Sequence, residues 1–378
     1  MLKITIDNKT LKNAMSVACL ATETSESSIT GHCLFEFQGK TLKILSTDKR
    51  HHLAQSIIGL QEEMEGSFTV DPRKILTLID KAESDSIGFE YIPEKSTLQV
   101  FMSETSDSYV SLPSFEPKTY SPIGEVFTKT FDLKTINAGV LLGGVQFIKG
   151  FLDPKNKNFS NLYISNGVFY GSNGNNLAAA FSCPDLAGLD ELVIPNSTIQ
   201  SIGNMIGKLD LQDIIIQTTS NNILFSSSDK NHTFGFTKVN AKMPKIPISI
   251  KDPEGSGWTF NKNILLKKLS CFHVTGDANL GVKGSFSSDS LQLLTVYERS
   301  SKDSMACKKI AGDDVSFVTQ CRLLEIALKQ FGGSELNIFV NKKIILHSKA
   351  EFEITEKDNK ILKPFTSAAA IALFREEK

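Results

Sequence analysis

The chain has 378 residues, 40% of them hydrophobic, with 41 Lys/Arg against 42 Asp/Glu for a formal net charge of −1 at pH 7. That length calls for more than one domain, and the apolar share suits ordinary cores and argues against a disordered polymer. The longest mostly apolar run, AGVLLGGVQFI, is far short of the roughly 20 residues a membrane span needs.

The amino terminus, MLKITIDNKTLK, lacks the charged-then-apolar layout of a secretory signal, so a cytoplasmic location is expected. Cys19, Cys33, Cys183, Cys271, Cys307 and Cys321 form no CxxC pair and no metal-ligand spacing, which reads as reduced thiols in a cytosolic protein.

In chain order the predicted elements repeat. ITIDNKTLKNAM reads as a strand ending at Ile6, an Asp7 cap and a helix with Leu11 and Met15 on its inner stripe. CLFEFQGKTLKILSTD follows as a hairpin about a glycine turn. FTVDPRKILTLI is a second strand-to-helix unit, capped by Asp71 with Pro72 at the first helical position. SIGFEYIPEKSTLQVFM supplies further strands. The second copy opens on KTFDLKTINAGV, with Phe131 expected at the strand end, Asp132 as cap, and Ile136 and Val140 on the stripe. LYISNGVFYGSN is its hairpin, LVIPNSTIQSI its second helix unit from Asn196, and DIIIQTTSNNILFSSS its later strands. The third copy starts with WTFNKNILLKKL (Phe260, Asn261, Leu265, Leu269), continues with GSFSSDSLQLLTVYE and reaches SFVTQCRLLEI, capped at Thr319.

Taking Val70, Ile194 and Val318 as equivalent gives spacings of 124 residues each (70 to 194, 194 to 318). Ile75, Ile199 and Leu323, then Leu78, Ile202 and Ile326, keep step with those anchors. Proline-bearing junctions place the domains at 1–124, 125–250 and 251–378. The expected fold class is α+β: three tandem domains, each with two helices packed on antiparallel sheet. Free sheet edges on the outer domains would be paired or protected. Two chains could close a ring through them, the alternative being a linear rod.

The six expected helix windows (7–20, 71–83, 132–150, 196–208, 261–273, 319–331) hold thirteen Lys/Arg and six acids, a sum of +7 against −8 for the rest. The near-neutral total therefore hides a basic helical layer, which points to phosphate contact without base readout. A set of solvated helix faces is the alternative.

The three copies, with LSTDKRHHLAQS, YGSNGNNLAAA, SYVSLPSFEP, KVNAKMPKIP and the closing SAAAIALF, resemble the bacterial DNA polymerase III beta subunit, the replicative sliding clamp. The resemblance covers the whole chain. It implies a head-to-tail homodimeric ring of DNA-clamp domains whose helices surround double-stranded DNA, a processivity factor without enzymatic activity or cofactor. Its partners would be a DNA polymerase, a clamp loader and other proteins carrying a clamp-binding peptide. By resemblance, the DNA-facing side chains are Arg73, Lys74, Lys81, Lys134, Lys149, Lys208, Lys262, Lys267, Arg322 and Lys329. The peptide pocket, between domains two and three, would use Ser172, Gly174, Asn175, Asn176 and Leu177, with Pro247, Ile371 and Leu373. The dimer contact would pair Tyr109 and Leu112 with Leu269 and Phe272. The family's Thr-Asp is Ser172-Asn173 here, and its His-Arg is Asn175-Asn176. These departures suit a clamp specialised for its own polymerase, as in a phage or another mobile replicon.

Other chemistry finds little support. His51 and His52 are adjacent on a strand and point to opposite faces, which disfavours shared metal binding. No GxxxxGK[ST] phosphate loop and no nucleophile elbow occurs. Two further readings stay open: a clamp-like recruiter of repair or transcription proteins, and an enzyme with a site at a domain junction.

Overall fold

The structure, a computed structural model, describes residues 2–25, 27–103, 108–120, 131–189, 191–209, 211–244, 248, 253–275, 281–296, 301–356 and 359–373. Its recurring device is the strand that turns directly into a helix. β1 (Leu2–Asp7) leads into α1 (Asn8–Ala18), where Asp7 accepts from the Thr10 N–H at 2.8 Å. β5 (Met64–Val70) leads into α2 (Pro72–Ile79), where Asp71 accepts from the Arg73 N–H at 3.0 Å and Pro72 opens the helix. Both caps satisfy helix N–H groups that have no carbonyl four residues back. Leu11, Met15 and Ile75 face inward and are fully buried.

The second copy departs from the expected register. β9 runs Phe131–Asn137, so Asp132 and Lys134 lie within a strand, and α3 spans Ala138–Lys149. Asp132 pairs across the sheet with Gln217 instead of capping a helix. The strand wins because Ile136 and Thr135 continue the ladder opposite Ile214 and Ile215. The second helix, α4 (Asn196–Leu209), begins where expected, with the Pro195 carbonyl accepting from the Thr198 and Ile199 N–H groups. In the third copy, α5 (Lys262–Thr275) is capped by Asn261, which accepts from Asn263 and Ile264. α6 (Cys321–Gln330) starts two residues past Thr319, whose hydroxyl donates to the Ala372 carbonyl at 3.2 Å; Gln320 stands at the cap position without a side-chain bond.

The chain divides into two compact units, 1–138 with 200–238, and 139–199 with 239–378. The first holds a four-stranded sheet, β1, β6 (Ser86–Ile92), β7 (Thr97–Phe101) and β8 (Tyr109–Pro113). It also holds an eight-stranded sheet in the order β5, β2 (Cys33–Gly39), β3 (Thr41–Thr47), β4 (His51–Ile58), β16 (His232–Thr237), β15 (Asn222–Ser227), β14 (Asp213–Thr218), β9. Phe35, Phe68 and Phe89, from β2, β5 and β6, pack with ring centroids 4.9 and 5.8 Å apart and tie the two sheets of the first copy into one core. Each such buried ring contributes on the order of 2–3 kcal/mol.

The second unit holds one twelve-stranded sheet. It begins with β13 (Leu192–Ile194), β10 (Leu162–Ser165), β11 (Val168–Ser172) and β12 (Leu177–Ser182), continues through β24 (Asn359–Ala372), β23 (Lys343–Glu356), β22 (Glu335–Val340) and β17 (Ser256–Asn261), and ends with β20 (Lys302–Ala311), β19 (Ser290–Thr295), β18 (Gly281–Phe286) and β21 (Val315–Gln320). Asn166 and Gly167, both at positive φ, make the tight turn between β10 and β11 that the Asn-Gly pair signalled. Trp258 is fully buried and stacks on Phe286 at 4.4 Å. No helix among the described residues is long and apolar enough to cross a membrane.

Candidate functional site: a cleft at the β12–β24 joint

Each unit contains one place where a hairpin strand from one copy pairs with a strand from the next. In the first, β4 pairs with β16, from Gln55 opposite His232 to His51 opposite Phe236. In the second, β12 pairs with β24, from Leu177 opposite Ile371 to Phe181 opposite Ser367. The turn that precedes β12 opens on a cleft of about 360 Å³.

That turn is built by two side chains. Ser172 donates to the Leu177 carbonyl at 2.8 Å and accepts from the Gly174 N–H at 3.0 Å. Asn173 Oδ1 accepts from Asn175, Asn176 and Leu177 N–H groups at 3.1, 3.0 and 2.9 Å. Gly174 sits at φ +84°, and a Cβ there would lie 2.5 Å from the Phe159 ring, so both conformation and space require glycine. The strand behind is fixed by the Ala372 N–H donating to the Asn176 carbonyl at 3.0 Å.

Ser172, Gly174, Asn175, Asn176 and Leu177 line the cleft, as do Ile371 near the end of β24 and Leu373 just past it. Seven of the eight residues expected to form a peptide pocket therefore share one wall; Pro247 lies outside the described residues. Sequence reasoning missed Phe159, which covers Gly174, and Lys342 and Lys343 at the start of β23. No local signal marks those lysines; the pairing of β23 with β24 (Lys343 opposite Ala372) is what carries them to the cleft.

The six described helices carry eleven Lys/Arg and a single carboxylate, Glu325. The expected phosphate-facing side chains differ in availability. Lys81, Lys149, Lys208, Lys267, Arg322 and Lys329 are exposed, and Lys74 is half-buried. Lys208 also donates to the Ser16 carbonyl at 2.8 Å, at the end of α1. Arg73 is tied to the Asp71 carboxylate by two hydrogen bonds, at 2.8 and 3.1 Å. Lys262 is buried, donates to the Phe331 carbonyl just past α6, and is held below the ordinary lysine range by burial. Lys134 lies on β9 and not on a helix.

Of the residues expected at a dimer contact, Tyr109 is exposed on β8, whereas Leu112, Leu269 and Phe272 are buried within their own units. Leu265, Leu269 and Phe272 follow helical spacing, so the stripe that packs α5 inward consumes the last two. His51 and His52 hold separate partners, Asp48 at 2.8 Å and Thr47 at 2.9 Å, and no metal-binding cluster occurs among the described residues.

No protein-family model matches the sequence, nor does any curated protein. Solved structures do match. The DNA polymerase III subunit beta from Pseudomonas aeruginosa aligns over 99% of this chain and 100% of its own, with a TM-score of 0.77 and 14% identity. The H. pylori beta clamp in complex with diflunisal gives the same coverage, TM-score and identity. The Borrelia burgdorferi subunit beta, in complex with a natural product, covers 98% of its own length at a TM-score of 0.74 and 13% identity. The chain has the fold of the DNA polymerase III beta subunit sliding clamps from end to end.

Proposed function

We propose that this protein is a DNA sliding clamp: a homodimeric ring, without enzymatic activity, that encircles duplex DNA in the cytoplasm and tethers a DNA polymerase. The observation that carries this reading is the charge of the helices, eleven cations to one carboxylate in a chain whose total is −1. Phosphates are the ligand that such a layer suits, and contacts of that kind are weak, sequence-independent and salt-sensitive. A topological link needs no more. The polymerase then stays on its template through effective concentration and not through its own affinity.

The division into domains 1–124, 125–250 and 251–378 belongs to the same proposal. The β4–β16 and β12–β24 pairings would be its two joints within a chain. Among the described strands that keep an unpaired side, β8 and β20 along Lys302–Ala306 are the two we assign to the contact between chains. β8 and that stretch of β20 each cover five residues with every second position exposed. Pairing β8 of one chain with β20 of a second would repeat the joint and cover those two edges. The cleft would receive a short extended peptide from the polymerase or the clamp loader.

Primer extension on a primed circular template, with the polymerase and loader of the same cell, tests the reading. Longer products per binding event are expected with the protein than without it. Unchanged product length with a polymerase that does bind the protein would overturn the processivity role.

A further inference from the structure

The hairpin of β23 and β24 runs past the sheet that carries it. β12 pairs with β24 only as far as Ser367, and β22 pairs with β23 only as far as His347. Beyond those points the two strands pair with each other alone among the described residues, over eight pairs from Lys349 opposite Thr366 to Glu356 opposite Asn359. This arm is roughly 27 Å long at about 3.4 Å per residue. It leaves the sheet at the end away from the cleft, because Leu177 and Ile371 mark the other end of the β12–β24 joint.

A two-stranded ribbon is marginal in water by itself, and this one has the pattern of a sheet face. The ladder continues without a register shift, so Phe352 and Ile354 fall in phase with Ile344 and Leu346, both fully buried. Across the ribbon, Ile361 and Phe365 hold positions on that same face, while Glu351 and Glu353 fall on the other. The apolar stripe of the core therefore outruns the third strand that flanks it. Among the described residues no strand lies beside β23 in line with β22 beyond Glu335, and an edge of this kind is a template for strand addition.

Charge selects what would pair there. Between Ala350 and Glu356 the strand has three glutamates and no lysine or arginine, which disfavours DNA phosphate. A second copy of β23 would bring glutamate against glutamate. On β24, Pro364 has no N–H to give to an added strand, so the edge of β23 is the better template.

We propose that β23 accepts, along Ala350–Glu356, an extended segment of a partner protein in which apolar residues alternate with lysine or arginine. Its apolar positions extend the Phe352–Ile354 face, and its cations stand against Glu351 and Glu353. Main-chain hydrogen bonds supply affinity and the alternation supplies selectivity.

Fluorescence anisotropy with the full chain and fluorescein-labelled ten-residue peptides tests this. One peptide alternates valine with lysine and a second alternates valine with glutamate. A third has the composition of the first with its valines clustered. At low salt the valine–lysine peptide should bind about 5- to 30-fold more tightly than the valine–glutamate peptide, and more tightly than the clustered one. Glu351→Lys with Glu353→Lys should reverse the preference between the first two, a result that neither misfolding nor binding at the cleft can produce. Methylating alternate backbone nitrogens of the valine–lysine peptide should abolish binding in one phase and spare it in the other, because only one edge of an added strand faces β23. Absence of binding, equal binding of the lysine and glutamate peptides, an unreversed preference in the double variant, or indifference to both methylation phases would overturn the proposal.

Discussion

Two turns of the same design end differently, and the difference accounts for where the cleft lies. At Thr47–His52 the hydroxyl of Thr47 donates to the His51 carbonyl at 2.8 Å and accepts from the Lys49 N–H at 2.9 Å, while Asp48 Oδ1 accepts from the Arg50 and His51 N–H groups at 2.9 and 2.6 Å. Ser172 and Asn173 repeat this pattern at the second turn, and Lys49 and Gly174 share positive φ, +74° and +84°. After the turn, however, His51 and His52 are buried, and His51 stacks on Phe234 at 5.8 Å. Asn176, which corresponds to His51, stays half-buried, while Asn175 is exposed like its counterpart Arg50 and Leu177 is buried like its counterpart His52. A repeated backbone thus gives a sealed joint where a buried ring closes the turn, and a recess where an asparagine takes its place.

The largest expected effect comes from opening the sealed joint. Phe234→Ala removes a fully buried ring and should cost about 3–5 kcal/mol in denaturant unfolding. Phe159→Ala at the cleft removes a half-buried ring and should cost under ~1.5 kcal/mol. A similar loss at both positions would break the distinction between sealed and open.

Next come the turn acceptors. Asp48→Ala should cost about 2–3 kcal/mol and Asn173→Ala about 1–2 kcal/mol, because charge-assisted hydrogen bonds are the stronger. Asn173→Asp keeps every turn bond and should move the unfolding midpoint little. Thermal melts of the three variants check the order.

Acid should separate the joints as well. Burial holds His52 and His232 below the ordinary imidazole range, although nearby Asp48 and Asp229 pull each the other way. The unfolded chain therefore takes up protons first as pH falls past ~6.5, so this stabilisation is complete above that pH and is lost as pH falls through the folded values. The five residue pairs of the β12–β24 joint carry no titratable side chain. Burial also pushes the Asp48 carboxyl up, but hydrogen bonds from the His51 side chain and the backbone outweigh it and hold it below the carboxylate range. That part is lost only in stronger acid. Hydrogen exchange at pH 7.5 and 5.5, corrected for intrinsic rates, should show protection falling in β4 and β16 while β12 and β24 keep theirs.

The smallest effect is local. Lys49→Gly relieves a left-handed non-glycine residue and should change stability by less than ~1 kcal/mol, whereas Gly174→Ala should cost about 1–2 kcal/mol through strain and collision with Phe159. Paired chemical denaturation curves would resolve the contrast.

Much of this was legible before any coordinates. Helix stripes such as Leu11 with Met15 are read from spacing, and Asn166-Gly167 declares its own turn. The second copy's first helix was not legible, because KTFDLKTINAGV offers both an Asp cap and an alternating strand pattern, and only pairing with β14 decides between them. The seven cleft residues came from the resemblance, whereas Phe159 and Lys342 reach the site through tertiary pairing that local sequence does not encode. The fate of Lys262 was equally hidden, since its partner, the Phe331 carbonyl, lies 69 residues away.

Encirclement of DNA is the claim on which the rest turns, and a topological cross-link tests it most directly. Cysteines placed at Tyr109 on β8 and Ala306 on β20, with Cys271→Ser to remove an exposed thiol, would be joined by a bismaleimide in the presence of plasmid. The account predicts a covalently closed dimer that stays on circular plasmid in SDS and is shed once the plasmid is cut. Equal loss from circular and linear plasmid by a dimer that has cross-linked at both joints would contradict it.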